Sequence, residues 1–373
     1  TFYLGIDPTA DSLHIGHFFA LTLVRRLQKM GHRAIVVIGG ATALIGDPTG
    51  RSDLRKTLSK EQVEHNKKEV KDLVKKFVNT EGDNPALIVD NYTWMTDTYI
   101  DFMRKVGIHF NVNKMLSTDV YKRRLEEGGL TFLEMGYMLM QAYDFVYLSD
   151  TYNCILQVGG SDQWANMVSG VDLARKIDNL KGNKDRGLEA LTCPLLVKAD
   201  GEKMGKTSSG TLWISRDKTT VYDFYQMFIN SYDEDIERLL CFFSDYSVPE
   251  IKKMISENII NAKRIMAFEV TKLVHGEEEA LKVEQISKEV FSGLKAENMP
   301  SVTLNESNLN ILDLLVKTNL APSKSEARRL VEQGGISINN MKMIYTNSVI
   351  GEKEIVVQKG KKTFLKVIIN EKV

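Results

Sequence analysis

The sequence predicts an α/β fold in which a parallel sheet covered by helices is followed by a helical region and a small α+β region. Short apolar runs alternate with helical periodicity through the first two hundred of the 373 residues, an order typical of parallel sheets. From about Thr219 onward, apolar residues take the spacing of helix faces. Because the chain exceeds the length of one ordinary core, we expect domains over residues 1–218, 219–292 and 309–373, with a linker over 293–308.

Five short apolar runs predict strands that are buried on both faces of the sheet. The polar stretch 178–187 predicts an exposed loop. The predicted strands are Phe2–Ile6, Ala34–Ile38, Ala86–Val89, Cys154–Val158 and Leu195–Val197. The predicted helices are Gly16–Met30, Thr93–Val106, Trp164–Ile177, Val221–Ile229, Glu234–Phe243, Pro249–Ile260, Asn261–Val274 and Glu277–Phe291.

The composition excludes a strongly basic protein, because 49 Lys and Arg residues balance 49 Asp and Glu residues. A nucleic-acid partner would therefore bind through local basic patches. The three cysteines are far apart and form no C-x-x-C pair, which favours thiols in a reducing, cytoplasmic compartment. No apolar run approaches the ~20 residues that span a membrane. The chain begins at Thr1, within a predicted strand, so we expect a segment to precede it.

The first motif lies where the first strand leads into a helix. His14 and His17 flank the predicted helix start, where the helix dipole is positive. Thr9 and the two imidazoles could donate to phosphates, and Gly16 leaves bare backbone for a flat ring such as adenine. A second glycine-rich turn, 39–51, follows the next strand, and in open parallel sheets ligands bind at the carboxyl ends of strands. The alternative is that the imidazoles only hydrogen-bond the turn.

The second motif is a lysine loop. Lys203 and Lys206 are separated by Met204 and Gly205 and are followed by Thr207. Such a loop could close over a polyphosphate and stabilise the charge that develops on departing pyrophosphate. The alternative is a solvated basic turn.

The two motifs together resemble the signatures of class I aminoacyl-tRNA synthetases. His14-Ile15-Gly16-His17 matches the first signature, and Lys203-Met204-Gly205-Lys206-Thr207 is similar to the second, with Gly and Thr in place of two serines. The resemblance is closest to the bacterial tyrosyl-tRNA synthetase family and covers essentially the whole chain. It implies a Rossmann-like catalytic domain, a helical anticodon-side domain and a small RNA-binding domain like one in a ribosomal protein. The implied reaction joins tyrosine to tRNA(Tyr) through tyrosyl-adenylate, with ATP as substrate.

A polar stripe supports tyrosine as the substrate. Tyr137, Gln141 and Asp144 are spaced i, i+4 and i+7, so they share one face of an otherwise apolar helix. Buried polar groups need partners, at a cost of ~1–3 kcal/mol for each that lacks one. An amino acid with an ammonium at one end and a phenol at the other would supply them. The alternative is a satisfied core network without a ligand.

The resemblance also implies a role for each matching residue. It assigns Tyr3 and Asp144 to the phenolic hydroxyl, Asp47, Tyr137 and Gln141 to the ammonium, Gln163 to the carboxyl end, and Gly160 and Asp162 to the ribose. It assigns Gly5, Asp7, Gly16 and His17 to the ATP pocket, Thr9, His14, Lys203, Lys206 and Thr207 to pyrophosphate, and Arg51 and Arg55 to a second basic loop. Leu4 and Ala20 lack the polar side chains that some members carry near the ribose.

The C-terminal region predicts an RNA contact. Residues 309–373 contain eleven Lys or Arg and six Asp or Glu residues, an excess of five. Lys324, Arg328 and Arg329 share one predicted helix face suited to phosphates, unless that face is simply solvated. Residues 121–124, Tyr-Lys-Arg-Arg, are a second basic patch that could meet the acceptor stem of tRNA.

Three other functions stay open at this point. Tryptophanyl-tRNA synthetases share the fold, nucleotidylyltransferases share the His-x-Gly-His motif, and a synthetase-like scaffold could serve only to bind RNA. The pair Tyr3 and Asp144, the lysine loop and the intact histidines favour the tyrosine enzyme. The resemblance implies a homodimer. We expect Mg²⁺ to arrive with ATP and see no metal site of the protein's own.

Overall fold

The computed structural model describes residues 1–49, 58–199, 201, 204–207, 210–291, 300–306, 309–339, 341–350, 353–360 and 363–370. They form two compact units. Unit 1 comprises Thr1–Gly205 and Trp213–Lys218, and unit 2 comprises Lys206–Leu212 and Thr219–Val373. The finer division into three domains stays a prediction.

Unit 1 is built on a five-stranded parallel sheet with the strand order β3-β2-β1-β4-β5. The central strands are apolar and buried, as the prediction of a doubly covered parallel sheet requires; all five residues of Ala34–Ile38 are buried. That prediction is confirmed. The strands are β1 Phe2–Ile6, β2 Ala34–Ile38, β3 Leu87–Asp90, β4 Leu156–Gly160 and β5 Glu189–Cys193.

The last strand differs from its prediction. Leu195–Val197 is not one of the sheet strands, and β5 instead pairs Glu189–Cys193 with β4. Because β5 is an edge strand, its residues are exposed or half-buried. Its sequence is therefore not a continuous apolar run. The apolar criterion that detects central strands therefore missed it.

Helices connect the strands of unit 1 and pack around the sheet. The helix predicted over Thr93–Val106 is wrong in its first half, because the α-helix starts after Thr98, whose hydroxyl accepts from the amide of Asp101. The helices are α1 Ile15–Lys29, α2 Thr42–Ile45, α3 Lys60–Val74, α4 Tyr99–Lys105, α5 Val112–Leu116, α6 Asp119–Glu127, α7 Phe132–Tyr152 and α8 Trp164–Leu180.

The strand order creates one crevice. From β1 the chain builds outward through β2 and β3, and it then returns to the other side of β1 to add β4 and β5. At such a switch point the loops after neighbouring strands diverge, and ligands bind there. Asp7 follows β1, and Ser161–Gln163 follow β4. A Cβ at Gly39, after β2, would lie 2.0 Å from Asp7 Oδ1, so only glycine allows this close approach.

Unit 2 contains a helical part and a β-rich C-terminal part, as predicted. None of the helices in the described residues has the length and apolar character needed to cross a membrane. After the hairpin β6 Lys206–Thr207 and β7 Gly210–Thr211, the helices are α9 Val221–Ile229, α10 Ile236–Phe243, α11 Val248–Glu257, α12 Ile259–His275 and α13 Glu277–Phe291.

The C-terminal part of unit 2 has its own core and a sheet with the order β11-β10-β13-β14-β8. The linker predicted over 293–308 is wrong for β8, because Ser301–Leu304 pairs with β14. An edge strand with alternate residues exposed can be polar, so its sequence resembles that of a linker. The elements are β8 Ser301–Leu304, β9 Leu309–Asn310, α14 Ile311–Lys317, α15 Lys324–Glu332, β10 Ile336–Ile338, β11 Met341–Lys342, β12 Val349–Ile350, β13 Glu354–Lys359 and β14 Thr363–Ile369.

Candidate active site

His14 caps the N-terminus of α1. Its Nδ1 accepts hydrogen bonds from the backbone amides of Gly16 at 3.1 Å and His17 at 3.4 Å. In a neutral ring the proton therefore sits on Nε2, which is the nitrogen able to donate to a ligand. The His14 and His17 rings stack with centroids 3.8 Å apart. A Cβ at Gly16 would lie 3.0 Å from the His14 ring, so Gly16 makes room for the cap.

A chain of hydrogen bonds joins two carboxylates behind the crevice. Thr42 Oγ1 donates to Asp7 Oδ1 at 2.7 Å and accepts from Asn91 Nδ2 at 3.0 Å. The other proton of Asn91 Nδ2 reaches Asp144 Oδ2 at 3.1 Å. Tyr137 Oη donates to Asp7 Oδ2 at 2.9 Å. These hydrogen bonds connect the residue after β1 and the helix α7 to the turns after β2 and β3.

Asp144 lies at the buried end of this chain and is only 4 % exposed. Trp94 Nε1 donates to its Oδ1 at 2.7 Å. Burial raises the pKa of Asp144 to about 7, and the charges of Asp7 and Asp90 act in the same direction. The sequence did not predict site roles for Asn91 and Trp94. Asn91 directly follows β3 at the carboxyl edge of the sheet, and that position alone could have indicated a role in the site.

Tyr3 is buried beside Asp144. Its side chain is 1 % exposed, its ring lies 5.3 Å from that of Phe145, and its hydroxyl has no hydrogen-bond partner among the described residues. Burial first, and the Asp144 carboxylate second, raise the pKa of the Tyr3 phenol. Oε1 of Gln141, one turn before Asp144 on α7, also lacks a partner in the described part of the chain. Such groups mark a place where a ligand could bind.

Asp47 and Gln163 form a second polar pair. Gln163 Nε2 donates to Asp47 Oδ2 at 2.7 Å, and Asn166 orients Gln163 by donating to its Oε1 at 3.2 Å. The position of Gln163 follows from β4, whose carboxyl end carries the turn Ser161–Gln163. A Cβ at Gly160 would lie 2.6 Å from Asp162 Oδ1, so the glycine keeps this turn close to the strand.

The remaining predicted residues divide into three groups. Thr9 is half-buried, with its amide bonded to the carbonyl of Asp7 at 2.8 Å, and Gly5 is exposed. The structure describes Lys206 and Thr207 only as backbone of β6, where they pair with Thr211 and Gly210. The residues that lie outside the described part of the chain are Lys203, Arg51 and Arg55.

The predicted RNA face of α15 is exposed, and two of its three cations are paired. Lys324 Nζ lies 2.6 Å from Asp313 Oδ1, and Arg329 lies 2.8 Å from Glu326 Oε1. Arg328 lies between them in the sequence and is exposed. Exposed pairs of this kind are weak, so phosphates could compete for these cations.

The second basic patch, residues 121–124, is smaller than predicted, because Tyr121 and Arg124 are buried. The side chains of Tyr121 and Arg124 are 1 % and 2 % exposed. Arg124 is buried against Glu134 Oε1 at 2.8 Å, because α6 packs on the first turn of α7, where Glu134 closes a capping box with Thr131. Only Lys122 and Arg123 of this patch are exposed.

In unit 1, His14 caps a helix at the switch point of a parallel sheet, and unit 2 adds helices and a β-rich part. Together these features define a class of nucleotide-using α/β enzymes with an added C-terminal region. Residues 1–292 match the family model described as "tRNA synthetases class I (W and Y)". The chain therefore belongs to this family of class I tRNA synthetases. Residues 291–367 match the model described as "Tyrosine--tRNA ligase SYY-like C-terminal domain".

The relatives place the chain with the tyrosine members of that family. It is 45 % identical to a tyrosine–tRNA ligase of Clostridium tetani over 99 % of this chain and 92 % of the relative. A tyrosine–tRNA ligase of Clostridium botulinum is 46 % identical over the same shares. A C-terminally truncated mitochondrial tyrosyl-tRNA synthetase of Aspergillus nidulans superposes with a TM-score of 0.68 at 28 % identity, covering 78 % of this chain and 85 % of that one. The prediction of an enzyme of the tyrosine–tRNA ligase type is confirmed.

We expect the raised pKa of Asp144 to appear in the stability of the protein. The folded-state pKa of about 7 exceeds the ordinary 3.8, so the stabilisation is fully present below about pH 4 and is lost as pH rises through about 7. Asp144→Asn removes this titration. Relative to wild type, the free energy of unfolding of Asp144→Asn should rise by roughly 1–3 kcal/mol between pH 5 and pH 8.

Urea unfolding at several pH values measures this difference. Asp83→Asn, at an exposed carboxylate, controls for the effect of pH on the method. The amide introduced in place of the Asp144 carboxyl would face two hydrogen-bond donors, and this would add a constant offset to the free energy of unfolding. The readout is therefore how the difference from wild type changes with pH. A difference between wild type and Asp144→Asn that stays constant with pH would contradict the assignment.

Proposed function

We propose that the protein activates L-tyrosine with ATP, forming tyrosyl-adenylate and pyrophosphate, and then transfers the tyrosyl group to the 3′-terminal adenosine of tRNA(Tyr). One observation carries the proposal. The Tyr3 hydroxyl is buried with no partner among the described residues, and the Asp144 carboxylate is close enough to raise its pKa. The names of the relatives, tyrosine–tRNA ligases, support it.

The buried pair would select tyrosine by its hydroxyl. Tyr3 Oη and the Asp144 carboxylate together can bond a phenol, and phenylalanine would leave both without that bond. Sites of this kind reject an analogue that lacks the hydroxyl by about 10⁴–10⁵-fold, a range measured on tyrosyl-tRNA synthetases and adopted from them. Asn91 and Trp94 would hold the carboxylate in place for this bond.

The other polar groups would bind the two ends of the amino acid and the nucleotide. Asp47, Gln141 and Tyr137 would bind the ammonium, and Gln163 would bind the carboxyl end. The groups assigned to ATP are Gly5, Asp7, Gly16, His17, Gly160 and Asp162 for the nucleoside, and Thr9, His14, Lys203, Lys206, Thr207, Arg51 and Arg55 for its phosphates. Mg²⁺ would enter bound to ATP.

The reaction requires no covalent enzyme intermediate. The tyrosine carboxylate attacks the α-phosphorus of ATP, a new C–O–P linkage forms, and the bond to pyrophosphate breaks. The protein acts by positioning the reactants and by stabilising phosphate charge. His14 Nε2–H would donate to the departing pyrophosphate, because Nδ1 already accepts from the helix backbone.

ATP–pyrophosphate exchange with each of the twenty amino acids tests the proposal. Tyrosine alone should support exchange, and exchange driven by tryptophan would overturn the substrate assignment. His14→Asn should lower the rate by roughly 10²-fold, because an amide oxygen preserves the helix cap but cannot reach the phosphates. Tyrosine affinity should be unchanged. An unaltered exchange rate would remove His14 from the phosphate site.

The C-terminal part would bind tRNA through α15. The exposed position of Arg328 between two weakly paired cations supports this role. Arg328→Glu should raise the KM for tRNA at least several-fold and leave tyrosine-dependent exchange unchanged, since exchange does not involve tRNA. Lys71→Glu makes the same charge change on an exposed residue of α3 in unit 1 and should leave the KM near wild type. Equal effects of both variants would point to net charge and not to a contact.

Homodimerisation is supported by exposed apolar side chains on one stretch of unit 1. Ile108, Val112 and Phe132 are 75 %, 53 % and 68 % exposed, and Leu125 and Leu133 are also exposed. Large apolar groups that stay in water often mark an interface. Phe132→Glu should shift the protein from dimer to monomer in sedimentation experiments. The matched control is Leu180→Glu, a similarly exposed leucine at the end of α8. Dimers that persist in Phe132→Glu would contradict the assignment.

A further inference from the structure

A short segment holds the loop that carries His14. This segment, Trp213–Lys218, follows the lysine-bearing hairpin in the sequence, and we call it the strap. It contacts every residue of the loop Asp11–His14. The contacts are a backbone bridge between Trp213 and His14, Ile214 N to Leu13 O at 2.9 Å, Ser215 N to Ser12 Oγ at 3.2 Å, and Lys218 Nζ to Asp11 Oδ1 at 2.9 Å.

The segment that leads into the His14 loop is held independently. Asn66, which is buried on α3, donates from Nδ2 to the carbonyl of Pro8 at 3.0 Å. With this end fixed, the strap determines where the far end of the loop lies. His14 is that far end, and it caps α1.

The side chain of Lys218, the last residue of the strap, contacts both the His14 loop and the first residue of the strap. Its Nζ lies 2.9 Å from Asp11 Oδ1 and 5.7 Å from the centroid of the Trp213 ring. One cation thus binds both the loop and the strap residue that pairs with His14. The two side chains are 34 % and 40 % exposed, and exposed pairs contribute little to overall stability. Their contribution is local geometry.

We propose that Lys218 and Asp11 are positioning residues for the activation step, and that their ion pair keeps the strap on the His14 loop and so holds the His14 imidazole in place. The inference rests on the proposed function. Small displacements of a catalytic group can reduce a rate strongly, so a weak surface pair is sufficient to matter here.

Single-turnover formation of the adenylate tests the proposal in the full-length protein. Lys218→Met keeps the aliphatic stem and removes the charge, and Asp11→Asn removes the opposite charge. Each should lower the rate at saturating tyrosine and ATP by roughly 5- to 20-fold. The Kd for tyrosine and the Tm should stay near wild type. The charge-exchanged double variant Asp11→Lys with Lys218→Asp should recover part of the lost rate.

The matched control is the ion pair between Lys75 and Asp72. It has a similar length, 2.8 Å, is likewise exposed, and lies at the end of α3 in the same unit. Lys75→Met and Asp72→Asn should react at the wild-type rate.

The outcomes separate this inference from the proposed function. If wild type activates tyrosine and both strap variants match it, the inference alone is overturned. If the strap variants lose tyrosine affinity and Tm together, the pair has only a structural role, and the inference is again overturned. Wild-type protein that activates no amino acid overturns the proposed function and this inference with it.

Discussion

The hydrogen-bond chain between two carboxylates, Asp7 and Asp144, is the constraint on which the rest of the site depends. A carboxylate removed from water must be compensated by donors, and the chain supplies them through Thr42 and Asn91. Because these donors come from the turns after β2 and β3, the network fixes α7 relative to the sheet. The depth of Asp144 also raises its pKa to about 7, so the site holds a carboxyl group that changes charge near neutral pH.

His14 illustrates how one side chain serves structure and chemistry at the same time. Its Nδ1 satisfies backbone amides at the start of α1, which would otherwise lack partners. That bond determines which nitrogen of the neutral ring carries the proton, and hence which nitrogen can donate to a ligand. Gly16 is required for the cap itself, since a side chain there would meet the imidazole. The Gly of the motif is thus explained by local packing before any nucleotide is considered.

Much of the fold follows from apolar periodicity. The bounds of Phe2–Ile6, Ala34–Ile38 and Val221–Ile229 agree with their predictions residue for residue, because these elements are central and buried. The edge strands Glu189–Cys193 and Ser301–Leu304 were misjudged, because one side of an edge strand faces solvent and its sequence resembles a loop. Burial of Arg124 was also hidden, since its compensating partner Glu134 lies ten residues away and across a turn.

The sequence by itself determined the family, the parallel sheet and the spacing that places Tyr137, Gln141 and Asp144 on one helix face, because these depend on local periodicity and short motifs. Only the tertiary structure decided which polar groups are paired. Tyr137 donates to Asp7 across 130 positions of the sequence. Lys218, the last residue of unit 1, forms an ion pair with Asp11 near its start. Hydrogen bonds and ion pairs between distant residues depend on how the chain closes in space, and no local pattern encodes that closure.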